Sequence, residues 1–215
     1  MDDIDIHGQA AVVVIDVQRG ELPETPMIGI PIMPGGHERH ERIRAIVSAA
    51  RARAVPVIFI QEVHKRSGVD FGRELDGAEG PHCVESEAET ELAIEPRAEE
   101  YHIRKRRYSA FFATELDLVL RCLGAETLIL VGALTDVCVH YTAVDAHQHD
   151  YRFRVVSDCV GGSSLEAHDA ALRAMAYLQR QAVVSSTQVL AALGSPAEAL
   201  GSPAEALGSP AEALA

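Results

Sequence analysis

The stretch "LILVGALTDVCVHYTA", residues 128–143, begins as a strand and ends as a helix, with a cysteine at the join. Its opening residues form a continuous apolar run, the pattern of a strand buried on both faces, and from Val137 onward the spacing is helical. Thr135 and Asp136 stand between, residue types suited to the place where a strand hands over to a helix N-terminus. Cys138 therefore falls in the first turn of the helix. A structural cysteine behaves as a small hydrophobe and needs no such address. A reactive one gains from it, because a helix N-terminus favours the thiolate.

The same alternation of strand and helix recurs along the chain. "AAVVVIDV" (10–17) and "VPVIFIQ" (55–61) read as buried strands, followed by "EYHIRK" (100–105), "TLILVGA" (127–133), "RFRVVSD" (152–158) and a short strand near 182–184. Helical spacing falls at 37–54, near 114–123, at 137–149, at 165–179 and from 187. Strands alternating with helices predict an α/β fold: a mainly parallel sheet of about six strands with helices on both faces, three layers in all. Residues 20–36, rich in Pro and Gly, cannot form a helix and are expected to make a lid or interface loop; 66–98 is expected to be a long loop with short helical turns.

Composition narrows the partners. The 215 residues carry 32 acidic against 19 basic side chains, a formal charge of −13. That disfavours nucleic acid and anionic membranes, which need clustered Lys and Arg. The one basic run, Arg104 to Arg107, abuts "YSAFF" and suits a pocket edge better than a phosphate track. The four cysteines form no CxxC pair, and there is neither a secretory leader pattern nor an apolar run of membrane-spanning length, so a cytoplasmic location with free thiols is expected. "GSPAEAL" repeats three times from Gly194 to Leu214, each copy with its own helix-start signal, so the expected organisation is one domain over 1–193 and a low-complexity tail over 194–215.

In a parallel α/β sheet, ligands collect at the carboxyl ends of the strands. Asp16 ends the first strand, Lys105 the third, and Cys138 follows the fourth. A carboxylate accepts the thiol proton, an ammonium stabilises the thiolate, and the thiolate attacks an electrophilic carbon such as a carbonyl. Taken singly, Asp16 could be a helix cap, Lys105 a solvated charge and Cys138 core. Together at three strand ends they point to catalysis. Cys83, Cys122 and Cys159 fit no nucleophile position and are expected to be buried or incidental thiols.

"VVVIDVQ", "KRRYSAFFATELDLVLR" and "VGALTDVCVHYTAVDAHQHDYRFRVVSDCVGG" resemble the three signature segments of the isochorismatase-like cysteine hydrolases, a superfamily with a Rossmann-type sheet that includes nicotinamidases and ureido-amidases. The similarity runs from about residue 10 to 190. The resemblance implies Asp16 as base, Lys105 as charge partner and Cys138 as nucleophile. It also implies an oxyanion hole from the backbone N–H groups of Leu134 and Cys138, a cis peptide at Ala133–Leu134, and a homo-oligomer. The expected activity is cleavage of a C–N bond in a small amide or ureido compound through a thioester.

The family divides on metal. Glu62-Val63-His64 and "His82-Cys83-Val84" approach the nicotinamidase ligand pattern, but Glu stands where Asp is usual, and the chain has no Trp to line a ring pocket. The expectation is accordingly a site without metal or other cofactor, in which Glu62 and His64 bind substrate amides together with Tyr108, Phe112 and Tyr141. Arg73, Arg106 and Arg107 are candidates to clamp a substrate carboxylate, with solvation at the surface the favoured expectation for each of them, and His147 and His149 suggest no third ligand. The rivals are a metal-dependent nicotinamidase and, in another class, a non-catalytic binding or assembly protein on the same fold. Vinyl-ether hydrolysis of the isochorismatase type is disfavoured, since those enzymes lack the nucleophilic cysteine.

Overall fold

The computed structural model describes Ile4, Ile6, residues 8–77 and residues 79–194. The repeat tail beyond Gly194 lies outside the described residues. Six strands, β1 (Gln9–Ile15), β2 (Val57–Glu62), β3 (Tyr101–Lys105), β4 (Ala125–Ala133), β5 (Arg152–Gly161) and β6 (Val183–Val184), form one sheet in the order β3-β2-β1-β4-β5-β6. All five pairings are parallel. The helices are α1 (Gly36–Ala52), α2 (Leu116–Cys122), α3 (His140–Gln148), α4 (Leu165–Leu178) and α5 (Ser186–Gly194). No helix among the described residues is long and apolar enough to cross a membrane.

The apolar runs explain the layering. Successive side chains of a strand point to opposite faces, so β1 sends Ala11, Val13 and Ile15 to one side and Ala10, Val12 and Val14 to the other. The first set packs with Leu116 and Leu120 of α2, Ala143 and Ala146 of α3, and Ala171 and Met175 of α4. The second packs with Ile43, Ile46 and Val47 of α1 and Val189 and Leu193 of α5. Two cores sandwich one sheet, as the unbroken hydrophobic runs of β1, β2 and β4 require.

Strand order reverses between β1 and β4, which lie side by side while their chains continue outward in opposite directions. Such a switch point leaves a crevice beyond the carboxyl ends of the two strands, where open α/β sheets bind ligands. Asp16 follows β1 directly and Cys138 lies in the segment after β4.

The rim of that crevice depends on Gly132. It pairs with Ile15 across the two central strands, has φ of 122°, and a Cβ added there would collide with the Ile15 carbonyl oxygen. Gly132→Ala is therefore expected to destabilise the fold by about 3 kcal/mol or more in denaturant titration. Gly124→Ala provides the control: φ is 64° but nothing lies within 4 Å of the added Cβ, so only the backbone cost of about 1 kcal/mol applies. Equal costs would contradict the close approach of β1 and β4.

Two boundaries differ from the sequence reading. The helix expected over 137–149 opens with a π-helical turn, Thr135–Val139, closed by Val139 N–H donating to the Leu134 carbonyl at 3.1 Å. Side-chain ties widen it: Thr135 Oγ1 bonds His168 Nδ1 at 2.8 Å, and Asp136 accepts from Ser163 N–H at 2.8 Å and Ser163 Oγ–H at 2.6 Å. Single π turns of this kind are frequent at functional sites. β5 also runs longer than expected, to Gly161, past a register shift between Leu130 and Gly132 on its partner strand.

Candidate active site

The ends of β1, β2, β3 and the π turn meet around one buried ammonium. Lys105, the last residue of β3, is 1% exposed. It is in register with Glu62, the last residue of β2. Its Nζ donates to Glu62 Oε2 at 2.5 Å, lies 2.8 Å from Asp16 Oδ2 and 3.3 Å from Cys138 Sγ. Cys138 Sγ is 3.5 Å from Glu62 Oε2, and one oxygen each of Asp16 and Glu62 and the thiol sulfur fall within 4.8 Å of one another.

Local backbone geometry sets these positions. Asp16 has φ of 50°, a left-handed conformation that Asp and Asn tolerate better than most residues. Its N–H still donates to Ile60 O at 3.0 Å, while its Oδ1 accepts the Glu62 N–H at 2.8 Å. Gln18 straps the same elements together: its Nε2 donates to Glu62 O at 3.2 Å and Thr90 O at 2.8 Å, and its Oε1 accepts the Glu62 N–H at 3.2 Å. After β4 the Ala133–Leu134 peptide is cis.

The two carboxylates have opposite electrostatics. Burial pushes Asp16 up to about 6; Lys105 pulls it down and the Glu62 charge raises it further. Burial also acts to raise Glu62, but Lys105 and hydrogen bonds from His64 and His82 outweigh it and hold its carboxyl well below the usual range. Lys105 is held strongly protonated: burial opposes its charge, and Asp16, Cys138 and Glu62 more than compensate. The Cys138 thiol is pushed well up, by burial first and then by Asp16 and Glu62 against the lowering effect of Lys105. This corrects the expectation that the helix N-terminus would present a ready thiolate. The turn favours that anion, yet the thiol is enclosed with two carboxylates.

Behind Glu62 lies a second cluster. His64 Nε2 and His82 Nε2 approach Glu62 Oε1 at 3.2 and 3.3 Å, and the three donor atoms lie within 4.8 Å of one another. His82 Nδ1 donates to the Gly80 carbonyl at 2.7 Å, so its Nε2 meets the carboxylate only as a protonated nitrogen or through a cation. His64 stacks on Phe71 with centroids 4.1 Å apart, and its Nδ1 is 3.7 Å from Asp70 Oδ1. Two imidazole nitrogens and a carboxylate oxygen are a ligand set for zinc or a similar ion. Separations of 3.2 and 3.3 Å are near the roughly 3.4 Å edge of a tetrahedron with ligands at about 2.1 Å. The residues fit a metal.

A cavity opens from Cys138 to the surface, with about 60 Å³ of space for the centres of water-sized atoms, where a single water needs roughly 10–15 Å³. Asp16, Glu62, Tyr108, Leu134 and Cys138 line it, so the structure brings these expected residues together. Three others lie elsewhere. His64 is fully buried behind Glu62; Phe112 is 61% exposed and Tyr141 52% exposed, and neither lines the cavity. Tyr141 instead stacks on the back of Tyr108, with centroids 5.7 Å apart.

The arginines lie toward the surface, outside the cavity. Arg106 Nε donates to Asp70 Oδ2 at 2.6 Å, Arg107 Nη1 to the Asp70 carbonyl at 2.9 Å and Arg73 Nη1 to Asp76 Oδ2 at 2.7 Å, and none lines the cavity. His147 bonds Gln179 and His149 stacks on Phe111.

Ala133, of the expected cis peptide, completes the wall with nine residues that the sequence reading did not assign to substrate: Gln18, Glu21, Met27, Ile30, Ile32, Glu79, His82, Cys83 and Val137. Gln18 stood within the "VVVIDVQ" segment and His82 among the weighed metal ligands. Cys83, expected to be a buried or incidental thiol, is buried and contacts Gln18 Nε2 and Met27 Sδ at 3.7 Å each. Residues 20–36 supply four of these wall residues, so the loop expected to be a lid or interface borders the cavity.

The profile of the Isochorismatase domain matches residues 10–189. Over 80 residues the chain is 42% identical to maleamate amidohydrolase of Pseudomonas putida, a match spanning 37% of this chain and only 38% of that protein. It is 31% identical over 169 residues to a probable inactive nicotinamidase of Arabidopsis thaliana, covering 74% of this chain and 84% of the relative. Among solved structures, an isochorismatase-like hydrolase from Alkaliphilus metalliredigens superposes with a TM-score of 0.75 at 27% identity, covering 86% of this chain and 99% of that one. With the profile spanning the whole six-stranded sheet and the cavity at its switch point, this chain belongs to the isochorismatase family of hydrolases.

Proposed function

We propose that the chain is a cysteine-dependent hydrolase of the C–N bond in a small amide or ureido compound, with Asp16, Lys105 and Cys138 as its catalytic residues. The observation that carries this reading is the buried Lys105 ammonium held 2.8 Å from Asp16 and 3.3 Å from Cys138, two residues that line a small cavity. Amidohydrolase in the name of the Pseudomonas relative supports the reaction class.

The divergence of the two carboxylates assigns their roles. Glu62, held low, is a poor proton acceptor and serves to fix Lys105. Asp16, raised to about 6, is matched to accepting a proton near neutral pH. In the first step the Cys138 S–H proton passes to Asp16 as sulfur bonds to the carbonyl carbon, and Lys105 offsets the negative charge. The tetrahedral oxyanion is met by the backbone N–H groups of Leu134 and Cys138. The C–N bond then breaks, the Asp16 proton goes to the leaving nitrogen, and a thioester remains. Water attacks that thioester, giving its proton to Asp16, which returns it to the departing sulfur.

The chelating geometry of Glu62, His64 and His82 favours a second, metal-dependent reading, as in a nicotinamidase. Those three residues would hold the ion, which would supply a Lewis acid beside the cavity. The experiment that separates the readings is ammonia release from nicotinamide, biuret, N-carbamoyl amino acids and simple amides, with and without a chelator. Release that chelation spares is expected. Loss on chelation with recovery on zinc would establish the metal-dependent reading, and no release from any compound would leave the binding-protein rival standing.

The Asp16 assignment fixes the pH dependence. The base must be ionised, so kcat/KM is expected to fall about tenfold per unit as pH drops below about 6. The sign for stability is the reverse of the common carboxylate case. A folded-state value raised above 3.8 gives stability that is complete below pH 3.8 and lost as pH rises through about 6. Asp16→Asn, which tolerates the same backbone conformation, is therefore expected to abolish hydrolysis. A variant that stays active, with its acid limb unchanged, would remove Asp16 from the proposal.

A further inference from the structure

Apart from Asp16 and Glu62, which Lys105 bridges, the cavity wall holds two more carboxylates, Glu21 and Glu79, and neither Lys nor Arg among the described residues. Glu21 stands out. Its side chain is 5% exposed, and its Oε2 faces Arg39 Nη2 at 3.7 Å and His40 Nε2 at 3.4 Å. Its other oxygen, Oε1, is buried with no hydrogen-bond partner among the described residues. A buried carboxylate oxygen without a donor is costly, and a ligand bearing an N–H group would remove that cost.

The Arg39 guanidinium is turned away from this task. It donates to the carbonyls of Pro34 at 2.7 Å and Met33 at 3.2 Å and does not line the cavity. Near the mouth, Glu79 Oε2 accepts the Tyr108 hydroxyl at 3.1 Å and remains half-exposed. Met27, Ile30 and Ile32 complete this wall with apolar surface. The cavity wall thus combines apolar surface with carboxyl acceptors from Glu21 and Glu79.

Building on the amidohydrolase reading, we propose that Glu21 is a specificity-determining residue, and that the site takes an amide whose acyl part carries an ammonium or carboxamide donor and no carboxylate. A substrate carboxylate would be desolvated beside Glu21 and Glu79 with no Lys or Arg in the wall to pair it, His82 being engaged with Glu62. The class differs from maleamate, the carboxylate-bearing amide named for the Pseudomonas relative.

The test compares kcat/KM for 4-aminobutanamide, succinamide, pentanamide and succinamate, in wild type and in Glu21→Gln. The cation and the diamide are expected to exceed succinamate by tenfold or more, and Glu21→Gln should narrow the cation-to-anion ratio at least tenfold. Succinamate turned over as fast as the cation, or a ratio that Glu21→Gln leaves unchanged, would overturn the proposal. Should Glu21→Gln fail to fold, Glu79→Gln at the half-exposed position must narrow the ratio in the same direction.

A second arm needs no turnover. Alkylation of Cys138 by 2-bromoethylamine and by iodoacetate is measured, each rate divided by that for 2-mercaptoethanol. A normalised preference of tenfold or more for the cation supports the acidic wall, and a preference for iodoacetate refutes it. Absence of hydrolysis from all four amides together with cation-preferring alkylation would count against the amidohydrolase reading alone.

Discussion

Lys105→Met is expected to cost the fold about 3–5 kcal/mol at pH 7, because it leaves buried carboxylates without their counter-charge. The ammonium is enclosed by Asp16, Glu62 and Cys138, within 3.3 Å of each, and nothing else among the described residues offers Asp16 a cation at that range. Methionine matches the length of the stem, so little packing is lost and the cost is electrostatic. The variant should also regain stability as pH falls and Asp16 takes up a proton. Glu62→Gln in the same background should recover part of the loss by removing one of the stranded charges. A Lys105→Met protein as stable as wild type, with no pH dependence of the difference, would mean that the cluster is not charged as described.

Cys138→Ala is expected to lower kcat by about 10⁴-fold or more while leaving the midpoint of unfolding within about 1 kcal/mol of wild type. Sulfur is the atom that bonds to the substrate carbon, and neither Asp16 nor Glu62 substitutes for it, since both are tied to Lys105. The thiol contributes little to the core beyond the volume of a small hydrophobe. The contrast with Lys105→Met is the discriminating feature: one removes chemistry and spares the fold, the other injures both. A Cys138→Ala enzyme retaining a tenth of its activity would shift the attack to a water molecule.

Much of this was legible in the chain, for physical reasons. Residues 10–15, 57–60 and 128–133 are apolar on both strand faces, so they announce a sheet covered twice, and the helical spacing between them supplies the covers. Asp16, Lys105 and Cys138 stood at strand ends, where side chains gather whatever the strand order. The cavity wall was harder. Phe112 and Tyr141 lie close in sequence to Tyr108 and Cys138 yet face solvent, because sequence proximity in a turn or helix fixes no common direction. Glu21, in a Pro- and Gly-rich loop, has the profile of a solvated charge. It is buried because 20–36 folds over the switch point and its carboxylate faces Arg39 and His40 of α1, a contact no local pattern encodes. The raised thiol escaped for a similar reason: the helix N-terminus is local, whereas the enclosing carboxylates arrive from two other strands.

The most direct test of the account is the mass of the enzyme during turnover. With an amide that releases ammonia, acid quench followed by intact-mass measurement is expected to show the acyl group added to the chain, and peptide mapping should place it on Cys138. Hydroxylamine should discharge it, and Cys138→Ala should never acquire it. Ammonia released at the wild-type rate by Cys138→Ala, with no adduct on either protein, would contradict the thioester and leave the ion cluster without its proposed chemistry.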